Sequence, residues 1–431
     1  MMAPTAAMAL NGALAAQYAG TAVPLAFVLA FATIGAVAFA FVTFARTYAS
    51  AASVGEFNAR GLGPLAGRLS AWALLLVYVL FTVGGAAECG GFAVATLAYA
   101  GREIAWLPIA LATLGIAGYI GVRPARTSSR AMLAIEGISI AAIVVLSAAI
   151  VVRGGRGGNS LVPFLLPHTP LGGLGLAIVF SLLSFAGFEG AAVLGEESLD
   201  PKTTIPRALT ASVVVSGLLF IFIGYAQSIG FGLDRHGVAD YAASASPLGD
   251  LALRNGGPSV AVAISLGATI SAFAATLASA TGAARLLYAF SRDGRLPTIF
   301  ARVHTASGTP ATAFAVVLAV GAAGTIGFAL GGISGTATFA ACGTVAVLAL
   351  IPIYGAVQVS ALRLFGRSWS IRERAIPIVA LLLLGATFVA NVVPIPAGLA
   401  AWYPAFVVGW LVAGALLLRD RSTLESARAL P

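Results

Sequence analysis

Apolar runs of about twenty residues, separated by short stretches rich in glycine, proline and arginine, fill this chain almost from end to end. A backbone crossing hydrocarbon must satisfy its own hydrogen bonds, so only helices and closed barrels can span a bilayer. Runs of this length suit helices, since a membrane strand needs only about 9–11 residues. The chain is 59% hydrophobic and 9% charged, where a soluble domain carries roughly a quarter charged residues. The expected fold class is therefore an all-α integral membrane protein. Its spans are expected near residues 3–19, 22–46, 68–99, 104–121, 128–152, 172–196, 206–231, 257–290, 309–331, 336–365, 374–395 and 399–418, about twelve in all. The first is the short one: it contains Pro4, Thr5 and Asn11 and stops at Gly20. It is expected to be truncated, through a misassigned start codon or a shortened helix, the alternative being a genuinely half-length functional helix.

The net charge of +9 would suggest a nucleic-acid partner in a soluble chain, but here the basic residues sort by side of the membrane. Eighteen of the 24 fall in alternate connections, namely Arg46, Arg60, Arg68, Arg123, Arg126, Arg130, Lys202, Arg207, Arg292, Arg295, Arg302, Arg363, Arg367, Arg372, Arg374, Arg419, Arg421 and Arg428. The other side holds five, Arg102, Arg153, Arg156, Arg235 and Arg254. Because basic loops stay in the cytoplasm, both termini are expected there, in a multi-pass protein of the cell membrane whose partner is the lipid bilayer and not nucleic acid. The start of the chain lacks the basic segment of a cleavable signal peptide.

Catalytic chemistry has little to work with. Cys89 and Cys342 lie in apolar runs, and His168, His236 and His304 lie in polar connections without metal-ligand spacing. With no nucleophile and base pair either, no enzyme, no metal and no cofactor is expected.

Residues 184–208, SFAGFEGAAVLGEESLDPKTTIPRA, are the most informative stretch. Ser184, Ala186, Gly187 and Gly190 surround Glu189 inside an apolar run, and small residues weaken helical continuity there. A helix interrupted at mid-membrane exposes N–H groups at one end and C=O groups at the other, which together suit a carboxylate and an ammonium group. The alternative is that the same glycines only allow helices to pack closely.

The spaced pattern SFAGFE, GEES and DPKTTIPRA resembles the broken sixth helix and following loop of the amino acid/polyamine/organocation superfamily of transporters. Residues 284–310, ARLLYAFSRDGRLPTIFARVHTASGTP, are similar to its eighth helix and loop, and GTAVPLAF at 20–27 with GLGPLAGRLSAW at 61–72 flank its second helix. The resemblance implies two inverted five-helix repeats over residues 1–365, with two accessory helices and a short tail over residues 366–431. It places substrate between the broken first and sixth helices, at Thr5, Ala6, Ser184, Phe185, Ala186, Gly187 and Phe188. The glycines of the family's first-helix break are replaced by Pro4, Thr5 and Ala6. Leu183 stands where some members have tryptophan, and Phe185 and Phe188 suit a neutral or apolar amino acid better than a guanidinium compound.

Carboxyl groups inside apolar runs cost several kcal/mol unless paired or wet. Glu189 matches the family's gating and proton-sensing glutamate; Glu88, in GGAAECGGF, is the second candidate for proton coupling. Glu136 lies about 12 Å into its helix at 1.5 Å per residue, and an ion pair with Arg123, Arg126 or Arg130 is expected. The lysine that replaces sodium in some members corresponds to Ser139, and Lys202 is the only lysine in the chain. Ser139, Ser271 and Thr276 could supply oxygens to a sodium ion, although such hydroxyls also bond back to the preceding turn. The expected function is a permease moving an amino acid or amine by alternating access, coupled to a proton or sodium ion or working by exchange. The alternative is a transport-inactive sensor or partner subunit with the same fold.

Overall fold

The computed structural model describes residues 2–48, 54–122, 126–166, 171–190, 200–303, 309–393 and 398–418; for residues 126–131 and 171 only the backbone is described. The described residues form helices joined by turns and short 3₁₀ segments. In chain order these are α1 (Pro4–Ala19), α2 (Val23–Thr47), α3 (Val54–Leu62), α4 (Pro64–Tyr99), α5 (Trp106–Gly121), α6 (Arg126–Arg153), α7 (Leu171–Leu183), α8 (Pro201–Phe231), α9 (Arg235–Ala243), α10 (Pro247–Gly256), α11 (Pro258–Arg292), α12 (Ala311–Leu330), α13 (Gly335–Phe365), α14 (Ile371–Val392) and α15 (Tyr403–Leu417).

Ten helical segments among the described residues are long and apolar enough to cross a membrane. One of them, Pro4–Thr47, comprises α1 and α2 with a 3₁₀ turn at Gly20–Ala22 between them. The apolar α5 is shorter. Most expected spans lie within four residues of an observed helix end, because proline marks helix starts where a missing N–H costs nothing. Pro4, Pro64, Pro201, Pro247 and Pro258 all occupy such positions. The capping box of Ser370 and Glu373 starts α14.

Three helices were not anticipated. Residues 234–246, between the expected spans 206–231 and 257–290, contain α9, whose first turn is capped by Asp234 accepting from Gly237 N–H at 3.0 Å. Tyr241 then enters the core and donates to Gln227 Oε1 (2.6 Å), while Gln227 Nε2 donates to Met8 O (2.6 Å), so α9 is tied through α8 to α1. Next to it lies α10. The amphipathic α3 is anchored by Asn58, which donates to Ser70 Oγ of α4 (2.8 Å) and accepts from Ser360 Oγ of α13 (3.1 Å).

The central seam joins α4 to α11 and α13. Small residues let these backbones approach: a Cβ at Gly335 would fall 2.5 Å from Ala87 O. Further contacts pair α1 with α7, α2 with α8 and α5 with α12. Late in the chain, α15 docks on α4 through Trp72 and Trp410, whose rings stack at 4.7 Å while each indole N–H donates to the other's carbonyl (2.9 and 2.8 Å). Replacing Trp410 with leucine removes the stacking and the bond from its indole N–H to Trp72 O, while the backbone carbonyl of residue 410 can still accept from Trp72. We expect a loss of about 2–3 kcal/mol, measurable as a lower thermal midpoint in detergent and as faster proteolysis near α15.

Candidate substrate site

The run expected to be interrupted is interrupted. α7 ends at Leu183, residues 184–187 form turns, and residues 188–190 form a single 3₁₀ turn. Hydrogen bonds there close three residues back, as in Phe185 N–H to Leu182 O (3.0 Å) and Ala186 N–H to Leu183 O (3.1 Å). Gly187 takes φ +95°, a conformation that side chains with a Cβ rarely adopt, and this turns the chain out of its helical path.

Two polar contacts hold the interruption to its neighbours. Ser184 Oγ accepts from Asn11 Nδ2 of α1 (2.8 Å) and donates to Phe180 O (3.2 Å). Beyond Gly187, the carboxylate of Glu189 accepts from Gly187 N–H (3.1 Å) and from Tyr354 O–H of α13 (2.9 Å), and Glu189 is only 3% exposed. Its oxygen thus closes a small ring on the broken backbone and fastens it to α13.

The start of α1 lies at a second junction. Thr5 N–H donates to Glu136 Oε1 of α6 (3.1 Å), and Ala6 N–H donates to Ser271 Oγ of α11 (3.2 Å). Two donors of the first helical turn, which have no partner within their own helix, are thereby satisfied by a carboxylate and a hydroxyl. Glu136 therefore serves the end of α1; the arginine side chains expected to pair with it lie outside the described residues.

A cavity of about 810 Å³ lies beside α7 and the later part of α1. Its mouth is formed by Gln17 and Tyr18 at the end of α1, by the turn between α9 and α10, and by Tyr403; its floor reaches Leu10, Phe180 and Leu348. Leu10 adjoins Asn11, and Phe180 lies one helical turn before Ser184, so the Asn11 to Ser184 bond sits just past the floor. Among the described residues, no charged side chain lines the cavity.

The residues expected to touch substrate are in a different place from that cavity. Thr5, Ala6, Ser184, Phe185, Gly187 and Phe188 are buried and Ala186 is half-buried, and none of them lines it. Phe185 packs against Phe31 of α2 and Phe220 of α8; Phe188 packs against Phe41 of α2 and Tyr354. Both rings serve the core around the break. Glu88 is buried on α4 (3% exposed), with no hydrogen-bond partner for its Oε1 among the described residues. Ser139 and Ser271 share the seam between α6 and α11, since Ser139 Oγ lies 2.7 Å from where a Cβ of Gly267 would be, one turn before Ser271. Thr276 faces α4 at Gly85 and donates back to Ala272 O (2.8 Å). Ser139 and Ser271 are thus neighbours, and Thr276 is on another face.

Sequence reasoning passed over Asn11, Tyr354, Phe180 and Tyr18. A buried asparagine and a tyrosine in apolar runs were visible as polar atoms needing partners, but nothing in the sequence says that those partners are Ser184 and Glu189.

The family model described as "Amino acid permease" matches residues 1–416. The chain belongs to the amino acid permease family. Among its relatives, the branched-chain amino acid permease BcaP of Lactococcus lactis subsp. cremoris is 26% identical over 316 residues, covering 68% of this chain and 66% of BcaP. The methylthioribose transporter of Bacillus subtilis is 27% identical over 334 residues, 71% of this chain and 67% of that protein. The low-affinity putrescine importer PlaP of Escherichia coli is 34% identical over 138 residues, 32% of this chain and 30% of the importer. The chain thus spans about two thirds of the length of the first two relatives. This permease-family chain is accordingly grouped with transporters and not with enzymes, and the membrane-crossing helices agree with that grouping.

Proposed function

We propose that the protein is a secondary active transporter that moves a neutral amino acid across the cell membrane by alternating access. The observation that carries this reading is the interruption at residues 184–190, held to α1 by Asn11 and to α13 by Glu189. Exposed main-chain dipoles at such a break can hold the charged ends of a zwitterion without burying a counter-ion. The cavity past which it lies falls in the usual size range of small-molecule sites, about 300–1,000 Å³, and its uncharged lining favours an apolar side chain over a polyamine. BcaP, the relative named for branched-chain amino acids, agrees with that preference.

The remaining parts follow from this. Counting α1, α2 and the short α5 separately brings the membrane helices to twelve, arranged as two inverted repeats over residues 1–365 with α14 and α15 as accessories. The pairing of α1 with α7, α2 with α8, α4 with α11 and α5 with α12 supports that arrangement. Arginine distribution puts the termini and α3 in the cytoplasm and α9, α10 and the cavity mouth outside. A substrate carboxylate reaching the amides of Thr5 and Ala6 takes the place of Glu136 and Ser271 there. Glu189 is the gating carboxylate, and Glu88 offers an acceptor oxygen for a transported proton. In the sodium-coupled version Ser139 and Ser271 supply the ion's oxygens, with Thr276 brought to them only by a turn of α11.

The test is uptake of labelled leucine, methionine and putrescine into proteoliposomes under an imposed proton gradient, an imposed sodium gradient, or internal amino acid. Neutral amino acids are expected to accumulate under at least one condition, with putrescine at least about tenfold slower, since a dication in an uncharged cavity forfeits well over 1.4 kcal/mol. No uptake of any amino acid or amine by folded protein would overturn the proposal.

A further inference from the structure

Outside this site, the loop 153–160, RGGRGGNS, builds a pocket that transport does not use. We propose that it binds the phosphodiester headgroup of an anionic phospholipid in the outer leaflet. The pocket, of about 380 Å³, is lined by Arg153, Arg156, Arg254 and Asn255 together with the backbone of Gly155 and Gly230. Among the described residues its lining thus carries three guanidinium groups and no carboxylate. Three of the five arginines on the side of the chain poor in basic residues meet in this one place.

The loop is held in shape for the task. Arg156 N–H donates to Ile229 O of α8 (2.8 Å), which brings the turn onto the end of that helix. Gly155 makes the approach possible: φ is +57°, and a Cβ would fall 2.4 Å from the same Ile229 carbonyl. Arg254 is steadied by lying over the ring of Phe231, 4.8 Å from its centroid, and Arg153 Nη1 donates to Asn255 Oδ1 at 3.5 Å.

Charge around the pocket is incompletely balanced. Asp240 of α9 faces two of the guanidinium groups, 3.9 Å from Arg156 and 3.5 Å from Arg254, with each side chain between 42% and 54% exposed. Asp234 is nearby but already caps α9. Paired planar guanidinium groups recognise phosphate oxygens bidentately.

Location identifies a lipid as the source of that phosphate. Arg153 ends one membrane-crossing helix and Gly230 is one residue from the end of another, so the pocket opens at headgroup level. Apolar side chains flank it on the outside: Val152 is 86% exposed, Val145 68% and Leu253 39%, an apolar margin along which acyl chains can lie. A free anion would gain nothing from that margin.

The test uses the purified full-length protein and native mass spectrometry with dihexanoyl phosphatidylglycerol, dihexanoyl phosphatidylcholine, glycerol phosphate or inorganic phosphate. Wild-type protein is expected to retain phosphatidylglycerol in preference to the other three. R156Q and R254Q should each weaken that retention about tenfold, as removal of one charge-assisted hydrogen bond to the phosphate would. D240N, which removes the competing carboxylate, should strengthen it, and R235Q, on the same face but outside the pocket, should leave it unchanged. Changes of opposite sign in equally mild substitutions separate headgroup binding from unfolding. Equal retention by wild type, R156Q and R254Q overturns the proposal, and so does inorganic phosphate bound as well as the lipid.

Discussion

Glu189→Leu is expected to abolish uptake and to lower stability by about 2–6 kcal/mol, since each buried donor stripped of its acceptor costs about 1–3 kcal/mol. The two donors are Gly187 N–H and Tyr354 O–H, and both meet the same carboxylate oxygen. Thermal unfolding in detergent reads the stability, and labelled uptake reads the function. Glu189→Gln separates the two roles. Its side-chain oxygen still accepts from both donors, so stability should change by no more than about 1 kcal/mol, while the titratable group is gone. If Glu189 senses protons, the glutamine variant transports with a flattened pH dependence. A pH profile that matches wild type assigns Glu189 to packing alone. Tyr354→Phe, made alone and with Glu189→Gln, tests whether the pair acts as one unit: the double variant should cost less than the sum of the singles.

The second large effect concerns Gly187. At φ +95° a β-branched residue is strained whatever space surrounds it, and holding it there costs about 1–3 kcal/mol. Gly187→Val is therefore expected to reshape the break, with uptake falling by more than about tenfold, the equivalent of 1.4 kcal/mol. Circular dichroism should show at most a small gain in helix, since relief of the strain lies in extending α7. Gly137→Ala is the matched control, because Gly137 lies in α6 with φ negative and nothing within 4 Å of an added Cβ. It should be neutral or stabilising by about 0.5–1 kcal/mol. Wild-type uptake by Gly187→Val would show that the left-handed turn has no part in transport.

Much of the architecture was legible in the sequence because a bilayer imposes so few choices. Apolar length, proline at helix starts and arginine between runs place most helix ends of the expected spans within four residues, and the small residues around Glu189 allowed for a helix that does not continue. Short helices outside the apolar runs were less legible. The Asp234 cap of α9 is local, but the helix also depends on Tyr241 reaching Gln227 of α8, which needs the rest of the fold in place.

The candidate site was legible only in part. Phe185 and Phe188, which the sequence suggested as pocket walls, turn to α2, α8 and α13, because the left-handed step at Gly187 and the preceding 3₁₀-like turns decide where each ring points. The cavity wall comes instead from Tyr18, Phe180 and Tyr403, which are far apart in the chain and brought together only by packing. Glu136 was expected to pair with Arg123, Arg126 or Arg130, whose side chains lie outside the described residues; what the structure does show for it is the N–H of Thr5, 131 residues away.

By itself, the sequence determined that this is a bundle of membrane-crossing helices and where most of them begin and end, while for the small residues around Glu189 it left interruption and close packing both open. Those properties follow from hydrocarbon length and local backbone preference, which adjacent residues settle among themselves. Only the tertiary structure decided which buried polar groups meet: Asn11 with Ser184, Glu189 with Tyr354, Thr5 with Glu136. Inside a membrane an unpaired polar atom must find its partner through space, and distance along the chain holds no record of which one it finds.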